Sequence, residues 1–375
     1  MRIAELDDGV VIFFPAPHSY TGEDVVELQP HGSPRLLSLV LQRLLEHPGV
    51  RLAEPGEFTR RAFLNDRMDL ASAEAVADLV AAQSEAAVRS AAAQLAGGLS
   101  SRIAQVKELL VPLHADLEAA LDFPDESDGA EAQVRPRLER ALAELVALAA
   151  QGSAGALARR GAHVVLYGPV NAGKSTLFNA LLGTTRALVD VEPGTTRDVL
   201  EATVELGGLA VTYVDTAGLR AQPGRVEALG IARAREALAA ADLKVLVVPP
   251  EGCDEKPDAA TLVVRGKADV TGPAKAELRV SGLTGEGVEA LKAELARRLG
   301  VDSAQSIALA SERHREALRR ALEALRRGRE ALEVSTLEVV AGEIGVALHA
   351  LGEITGEDAR AELLDAIFRR FCIGK

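Results

Sequence analysis

The chain has 375 residues, long enough for two or three domains. Its 48% hydrophobic and 26% charged residues are typical of a soluble globular protein; no apolar run reaches membrane-spanning length and no secretory pattern follows Met1, so no membrane partner is expected and the cytoplasm is the expected location. A formal net charge of −13 argues against wholesale nucleic-acid coating but leaves room for a local basic face, and Cys253 and Cys372 make neither a disulfide framework nor a metal site.

Residues 1–70 mix the apolar runs Val10 to Phe14 and Val25 to Leu28 with turn residues such as Pro15, Pro17, Gly22, Gly32 and Pro34, the texture of a small α+β unit. Residues 71–160 are rich in Ala and Leu at helical spacing (Leu79, Val80; Val106, Leu109, Leu110, Leu113, Leu117), interrupted at Pro124 and Gly129. Residues 161–300 alternate strands with helices, which predicts a mostly parallel sheet. Residues 301–375 return to helical spacing through Leu318, Leu322, Leu325 and Leu332, then Leu337, Val340, Ile344 and Leu348. The economical arrangement is an α/β domain inserted into a helical domain whose two parts pack as one bundle.

The α/β segment carries the chemistry. Gly168-Pro169-Val170-Asn171-Ala172-Gly173-Lys174-Ser175 satisfies G-x-x-x-x-G-K-[ST], between a predicted strand (His163 to Tyr167) and a predicted helix (Thr176 to Leu182). Glycines let backbone N–H groups curl around phosphate oxygens at a helix N-terminus, so Asn171, Ala172, Gly173, Lys174, Ser175 and Thr176 form the expected nucleotide-binding run. Lys174 reaches the β- and γ-phosphates and the Ser175 hydroxyl ligates Mg²⁺. Downstream, Gly194-Thr195-Thr196-Arg197-Asp198 offers Thr195 and Thr196, a hydroxyl to complete the Mg²⁺ shell and sense the γ-phosphate. The strand Val211 to Val214 ends in Asp215-Thr216-Ala217-Gly218, where Asp215 holds Mg²⁺ and the Gly218 N–H meets the γ-phosphate. The strand Leu262 to Val264 precedes Gly266-Lys267-Ala268-Asp269. Asp269 accepts from guanine N1–H and N2–H₂, a donor pair adenine lacks, so the ligand reads as GTP. A further strand, Ala276 to Val280, leads to a second base-contacting loop at Ser281 and Gly282.

Together with Pro55-Gly56-Glu57-Phe58-Thr59-Arg60-Arg61-Ala62-Phe63-Leu64-Asn65 and the C-terminal Phe371-Cys372-Ile373-Gly374-Lys375, these motifs resemble the tRNA modification GTPase MnmE (TrmE) family over nearly the whole chain. The resemblance implies a multidomain α/β plus α fold. A Ras-like P-loop G domain (161–300) is inserted into a helical domain (71–160 and 301–375), preceded by a partial α+β folate-binding-type dimerisation domain (1–70). It implies GTP hydrolysis in C5 modification of the wobble uridine (U34) of tRNA, a carboxymethylaminomethyl-type modification, with an MnmG-type flavoprotein partner, as a homodimer or a heterotetramer with that partner. It assigns K⁺ to Asn171 in place of an arginine finger, where a cation offsets transition-state charge. It makes Glu227 the carboxylate that orients the attacking water, where spacing alone reads a helix-face acid. Catalysis then rests on Glu227, Lys174 and Gly218. It gives Cys372 a part in tRNA chemistry, against the alternative of a packed thiol, and places Gln29 and His31 beside a tetrahydrofolate derivative. Arg197 reads equally as an intrinsic finger or as a solvated loop residue.

The chain departs from that pattern in three places. The family's N-K-x-D begins here with Gly266, and losing the Asn is expected to weaken guanine nucleotide binding by about 1–3 kcal/mol. Pro249 to Thr261 is too short and polar for the family's helical connection and reads as mostly loop. Against the family's pattern, the chain is expected to start inside the first domain, without its opening strands and helix. These departures sustain a second reading, a nucleotide-binding interaction module with impaired turnover, and the G domain taken alone fits a third, a ribosome-assembly GTPase. The arginines between Glu312 and Glu330 read first as a solvated helix laced with pairs to Glu312, Glu316 and Glu323, and second as a phosphate-contacting face.

Overall fold

The apolar run after Gly161 becomes the centre of a six-stranded sheet. The computed structural model describes residues 2–3, 6–122, 130–183, 200–215, 235–301, 311–334, 336–357 and 359–374. These divide into two compact units, one of residues 1–80, 94–146 and 313–375 and the other of 81–93 and 147–312. The chain thus leaves the first unit, builds most of the second, and returns.

In the first unit, strands β1 (Arg2–Ile3) and β2 (Asp7–Asp8) pair antiparallel, as do β3 (Val10–Phe14) and β4 (Val25–Gln29). Helix α1 (Pro34–Leu45) follows, capped by the Ser33 side chain, then α2 (Glu57–Leu64) and α3 (Leu70–Ala81). Helix α4 (Glu85–Leu95) spans the division between the units, and α5 (Gly98–Asp122) and α6 (Ala130–Arg160) come next. Buried Leu99, Ile103, Val106, Leu110, Leu113 and Leu117 recur at helical spacing along α5, an apolar face of a helix that packs against one returning later in the chain.

In the second unit, β5 (Ala162–Tyr167), helix α7 (Lys174–Gly183), β6 (Leu200–Leu206), β7 (Leu209–Asp215), β8 (Leu243–Val248), β9 (Leu262–Arg265), β10 (Leu278–Arg279) and helix α8 (Val288–Leu299) follow in order. The sheet order is β10-β9-β8-β5-β7-β6, parallel except for β6, which pairs antiparallel with β7. Strands β5, β7 and β8 are nearly continuous apolar runs, as two-sided burial in a parallel sheet requires. Leu177, Phe178 and Leu181 of α7 and Leu291, Leu295 and Leu299 of α8 fill the core against Val164, Leu166, Val245 and Val264. The last strand is shorter than the predicted Ala276 to Val280 run: Leu278–Arg279 are in register with β9, and the flanking Glu277 and Val280 N–H groups donate to Val263 O at 3.0 Å and Arg265 O at 2.9 Å. Between β8 and β9, residues 249–261 are turns and coil with no helix, as their length and polarity suggested, and 266–277 are likewise without one.

Helices α9 (Glu312–Val334), α10 (Leu337–Thr355) and α11 (Ala361–Phe368) complete the chain. Helix α10 packs along α5, the bundle of early and late helices expected from their spacing. Four arginines of α9 form ion pairs. Arg319 pairs with Glu316 and Glu323 of its own helix, Arg327 with Glu343, Arg320 with Glu353 and Arg313 with Glu74. Pairs within the helix are thus joined by pairs to neighbouring helices, while Arg326 and Arg329 are exposed.

Candidate functional site

The strand β5 ends in the glycine-bounded loop. Gly168, Asn171 and Gly173 have φ of 135°, 65° and 97°, and such left-handed turns aim successive amides into one concavity. Lys174, only 6% exposed, folds back over the loop. Its Nζ donates to Gly168 O at 3.0 Å and Pro169 O at 2.7 Å, so the ammonium is held where phosphate oxygens would lie. The Ser175 Oγ donates to Asp215 Oδ2 at 2.6 Å. Asp215 is fully buried at the end of β7, one strand across from β5, in register with Leu166. Two oxygen ligands from different elements therefore converge beside the lysine, a hard-donor set suited to Mg²⁺.

On the other side of the loop a cavity of about 210 Å³ is lined by Gly173, Thr176, Lys267, Asp269, Ser281 and Gly282. The Ser281 side chain donates to the Asp269 carboxylate and, with the residue's own backbone N–H, holds it below the usual carboxylate range, so it stays a pure acceptor. Lys267 takes φ of 53°, and its Cγ lies 3.6 Å from where a Cβ on Gly173 would stand, laying its stem over the phosphate loop.

Two glycines here are demanded by close approach. A Cβ on Gly266 would stand 2.2 Å from Ala172 O, and one on Gly282 would stand 2.5 Å from Thr176 O. The base loops are thus pressed backbone to backbone on the phosphate loop and the first turn of α7. Gly282→Val is expected to push the 281–283 loop off α7 and weaken GDP binding by about 1–3 kcal/mol, the usual cost of overpacking. Calorimetric titration checks this, and wild-type affinity would refute the contact.

Asn171, Ala172, Gly173, Lys174, Ser175, Thr176, Asp215, Lys267, Asp269, Ser281 and Gly282 are therefore brought together around one loop. Thr195, Thr196, Arg197, Gly218 and Glu227 lie outside the described residues. Gln29, His31 and Cys372 belong to the first unit. His31 accepts no burial, with its side chain 79% exposed; its backbone N–H donates to Asp7 Oδ2 at 2.8 Å, which with the ring holds the Asp7 carboxyl below its usual range. Gln29 donates to Glu27 on the same strand. Cys372 is exposed, and its carbonyl accepts from Gly56 N–H at 3.4 Å beside a Pro55–Ile373 bridge, so the C-terminal motif is seated on the Pro55-Gly56 segment. Phe371 and Phe368 bury against Leu70 and Val76. The residue that sequence reasoning passed over is Arg265, whose only signal was a charge at the end of an apolar strand.

A phosphate-cradling loop with its lysine, a Ser–Asp pair beside it and a carboxylate pocket for the base, all at the carboxyl ends of a parallel sheet, define a P-loop GTPase. The model of the MnmE helical domain matches residues 70–372, and that of the GTP-binding protein TrmE N-terminus matches residues 2–67. The tRNA modification GTPase MnmE of Myxococcus xanthus is 60% identical over 380 residues, covering 99% of this chain and 86% of the relative, and that of Pectobacterium atrosepticum is 43% identical over 399 residues, covering 99% and 87%. The chain belongs to the MnmE family of tRNA modification GTPases. Among solved structures, the G domain of the T. maritima FeoB iron transporter aligns over 38% of this chain and 98% of its own at 25% identity, with a TM-score of 0.26.

Proposed function

We propose that this chain couples GTP hydrolysis to C5 modification of the wobble uridine of tRNA, acting with an MnmG-type flavoprotein in the cytoplasm. The observation that carries the reading is the Ser175–Asp215 contact beside Lys174, with the Asp269–Ser281 pocket on the other side of the same loop. Likeness to curated tRNA modification GTPases across 99% of the chain supports the coupling to tRNA.

Lys174 exchanges its two loop carbonyls for β- and γ-phosphate oxygens when the nucleotide enters. Ser175, Asp215 and Thr196 would hold Mg²⁺, which would supply positive charge against the phosphates. Thr195 flanks Thr196, and the Gly218 N–H meets the γ-phosphate. Glu227 orients the attacking water. Asn171, exposed on its left-handed turn, would hold K⁺, whose charge would act in place of an arginine finger. Asp269 reads guanine N1–H and N2–H₂, with Lys267 over the loop and Ser281 and Gly282 closing the pocket. Two such chains meet as a homodimer and assemble with the flavoprotein into a heterotetramer. Gln29 and His31 face a tetrahydrofolate derivative, and Cys372 takes part in the tRNA chemistry.

Steady-state hydrolysis with Mg²⁺ in KCl and in NaCl tests the cation assignment. The rate is expected to rise about 10²-fold in KCl, the scale of one transition-state charge contact. Equal rates in the two salts would remove K⁺ from the mechanism, and no phosphate release in either would remove the hydrolytic reading altogether.

A further inference from the structure

We infer that Arg265 is a positioning residue for guanine recognition, holding the Asp269 loop from beneath where the chain has no Asn at position 266. The inference rests on the reading that Asp269 binds the base. Arg265 closes β9, and since Leu262 and Val264 face the core, alternation turns its side chain to the opposite face of the sheet. It is only 3% exposed, yet among the described residues no carboxylate pairs with it. Its Nη1 donates to Gly272 O at 3.0 Å and its Nη2 to Val270 O at 3.1 Å, while Nε has no hydrogen-bond partner. A buried cation whose bonds go to backbone carbonyls of one loop grips that loop, because releasing either carbonyl leaves the charge further unsatisfied.

The loop it grips begins one residue after Asp269. Neither crossover on this side of the sheet contains a helix, so the 270–274 segment has no helical ladder to occupy its carbonyls. Its other supports are backbone contacts: Val270 N–H donates to Lys267 O at 2.9 Å, Ala274 N–H to Pro250 O at 3.1 Å, and a Cβ on Gly272 would stand 2.3 Å from Pro250 O. On the opposite flank Gly266 lies against Ala172 O, too close for any side chain, and its N–H donates to Val248 O at 2.9 Å. Arg265 and Gly266 act as a pair. The glycine lets the backbone seat on the phosphate loop, and the arginine locks the far side, leaving the Asp269 carboxylate fixed between them against Ser281.

The test compares GTP with ITP, whose base lacks the 2-amino group and so loses one of the two bonds to Asp269. KM and kcat are measured for both nucleotides on the full chain, on Arg265→Met, on Arg265→Lys and on Asp269→Asn. The unmodified chain is expected to favour GTP by about tenfold, the value of one charge-assisted hydrogen bond. Arg265→Met is expected to bring that ratio close to one through KM rather than kcat. Arg265→Lys, able to reach one of the two carbonyls, falls between. A role in stability alone would raise both KM values together and leave the ratio intact. An unchanged ratio in Arg265→Met, with the ratio lost in Asp269→Asn, overturns the inference and leaves the Asp269 reading standing. A ratio that Asp269→Asn does not alter overturns that reading itself. Should Arg265→Met not fold, the Lys variant decides, and full retention of the ratio overturns the inference.

Discussion

Replacing Lys174 with alanine is expected to reduce GTP hydrolysis by about 10²–10³-fold, which corresponds to about 3–4 kcal/mol of lost transition-state stabilisation. Two effects combine. The variant removes the ammonium that folds back over the loop, where Nζ now bonds Gly168 O and Pro169 O and would bond phosphate oxygens with nucleotide present. It also frees those carbonyls to point toward an anion, since no cation covers them. The neighbouring Ser175–Asp215 contact does not pass through Lys174, so Mg²⁺-dependent binding should weaken less than turnover. Phosphate-release kinetics and GDP titration on the same preparation separate the two effects. Turnover within a few-fold of the unmodified chain would show that the loop does not hold a reacting phosphate.

Glu74→Gln is expected to destabilise the first unit by about 3–5 kcal/mol, the cost of removing one partner from a mostly buried charge cluster. Glu74 of α3 is 12% exposed and accepts from Arg313 Nε at 3.0 Å, while His314 Nε2 lies 2.7 Å from its other oxygen and is fully buried. Burial alone would raise the Glu74 pKa, but His314 and then Arg313 overcome that and hold it at about 2. The folded-state pKa lies below the ordinary value of 4.5, so this stabilisation is complete above about 4.5 and is lost as pH falls toward 2. The amide in Glu74→Gln cannot titrate. Urea unfolding should therefore show a lower midpoint at neutral pH and a gap to the unmodified chain that narrows between pH 4.5 and 2. A gap of constant width across that range would mean the carboxylate charge contributes nothing.

Much of the second unit was legible beforehand because its signals are local. The Gly168 to Ser175 loop lies between an apolar strand and an apolar-faced helix, and backbone geometry at the glycines does the rest. The short 249–261 connection was equally plain, since a dozen polar residues with three prolines cannot build a covering helix. The last strand is shorter than its spacing suggests, because Leu278 and Arg279 alone stand in register with β9 while Glu277 and Val280 reach it by single backbone bonds. Along α9 the spacing of Glu316, Arg319 and Glu323 announced pairs within the helix. The partners Glu74, Glu343 and Glu353 belong to other helices and leave no mark in local spacing.

The order of residues was sufficient to specify the phosphate loop, the alternation of strands and helices, the return to helix after the inserted unit, and the family to which the chain belongs. All of these depend on neighbours a few positions apart or on motif identity. Tertiary packing alone decided what happens at positions 265 and 266. Read linearly, Gly266 is a missing side chain and Arg265 a stray charge. In the folded unit Gly266 lies against Ala172 O from a distant part of the chain, and Arg265 has its charge answered by the carbonyls of Val270 and Gly272. Steric contact and buried-charge compensation act through space, so neither consequence could be inferred before the loops were brought together.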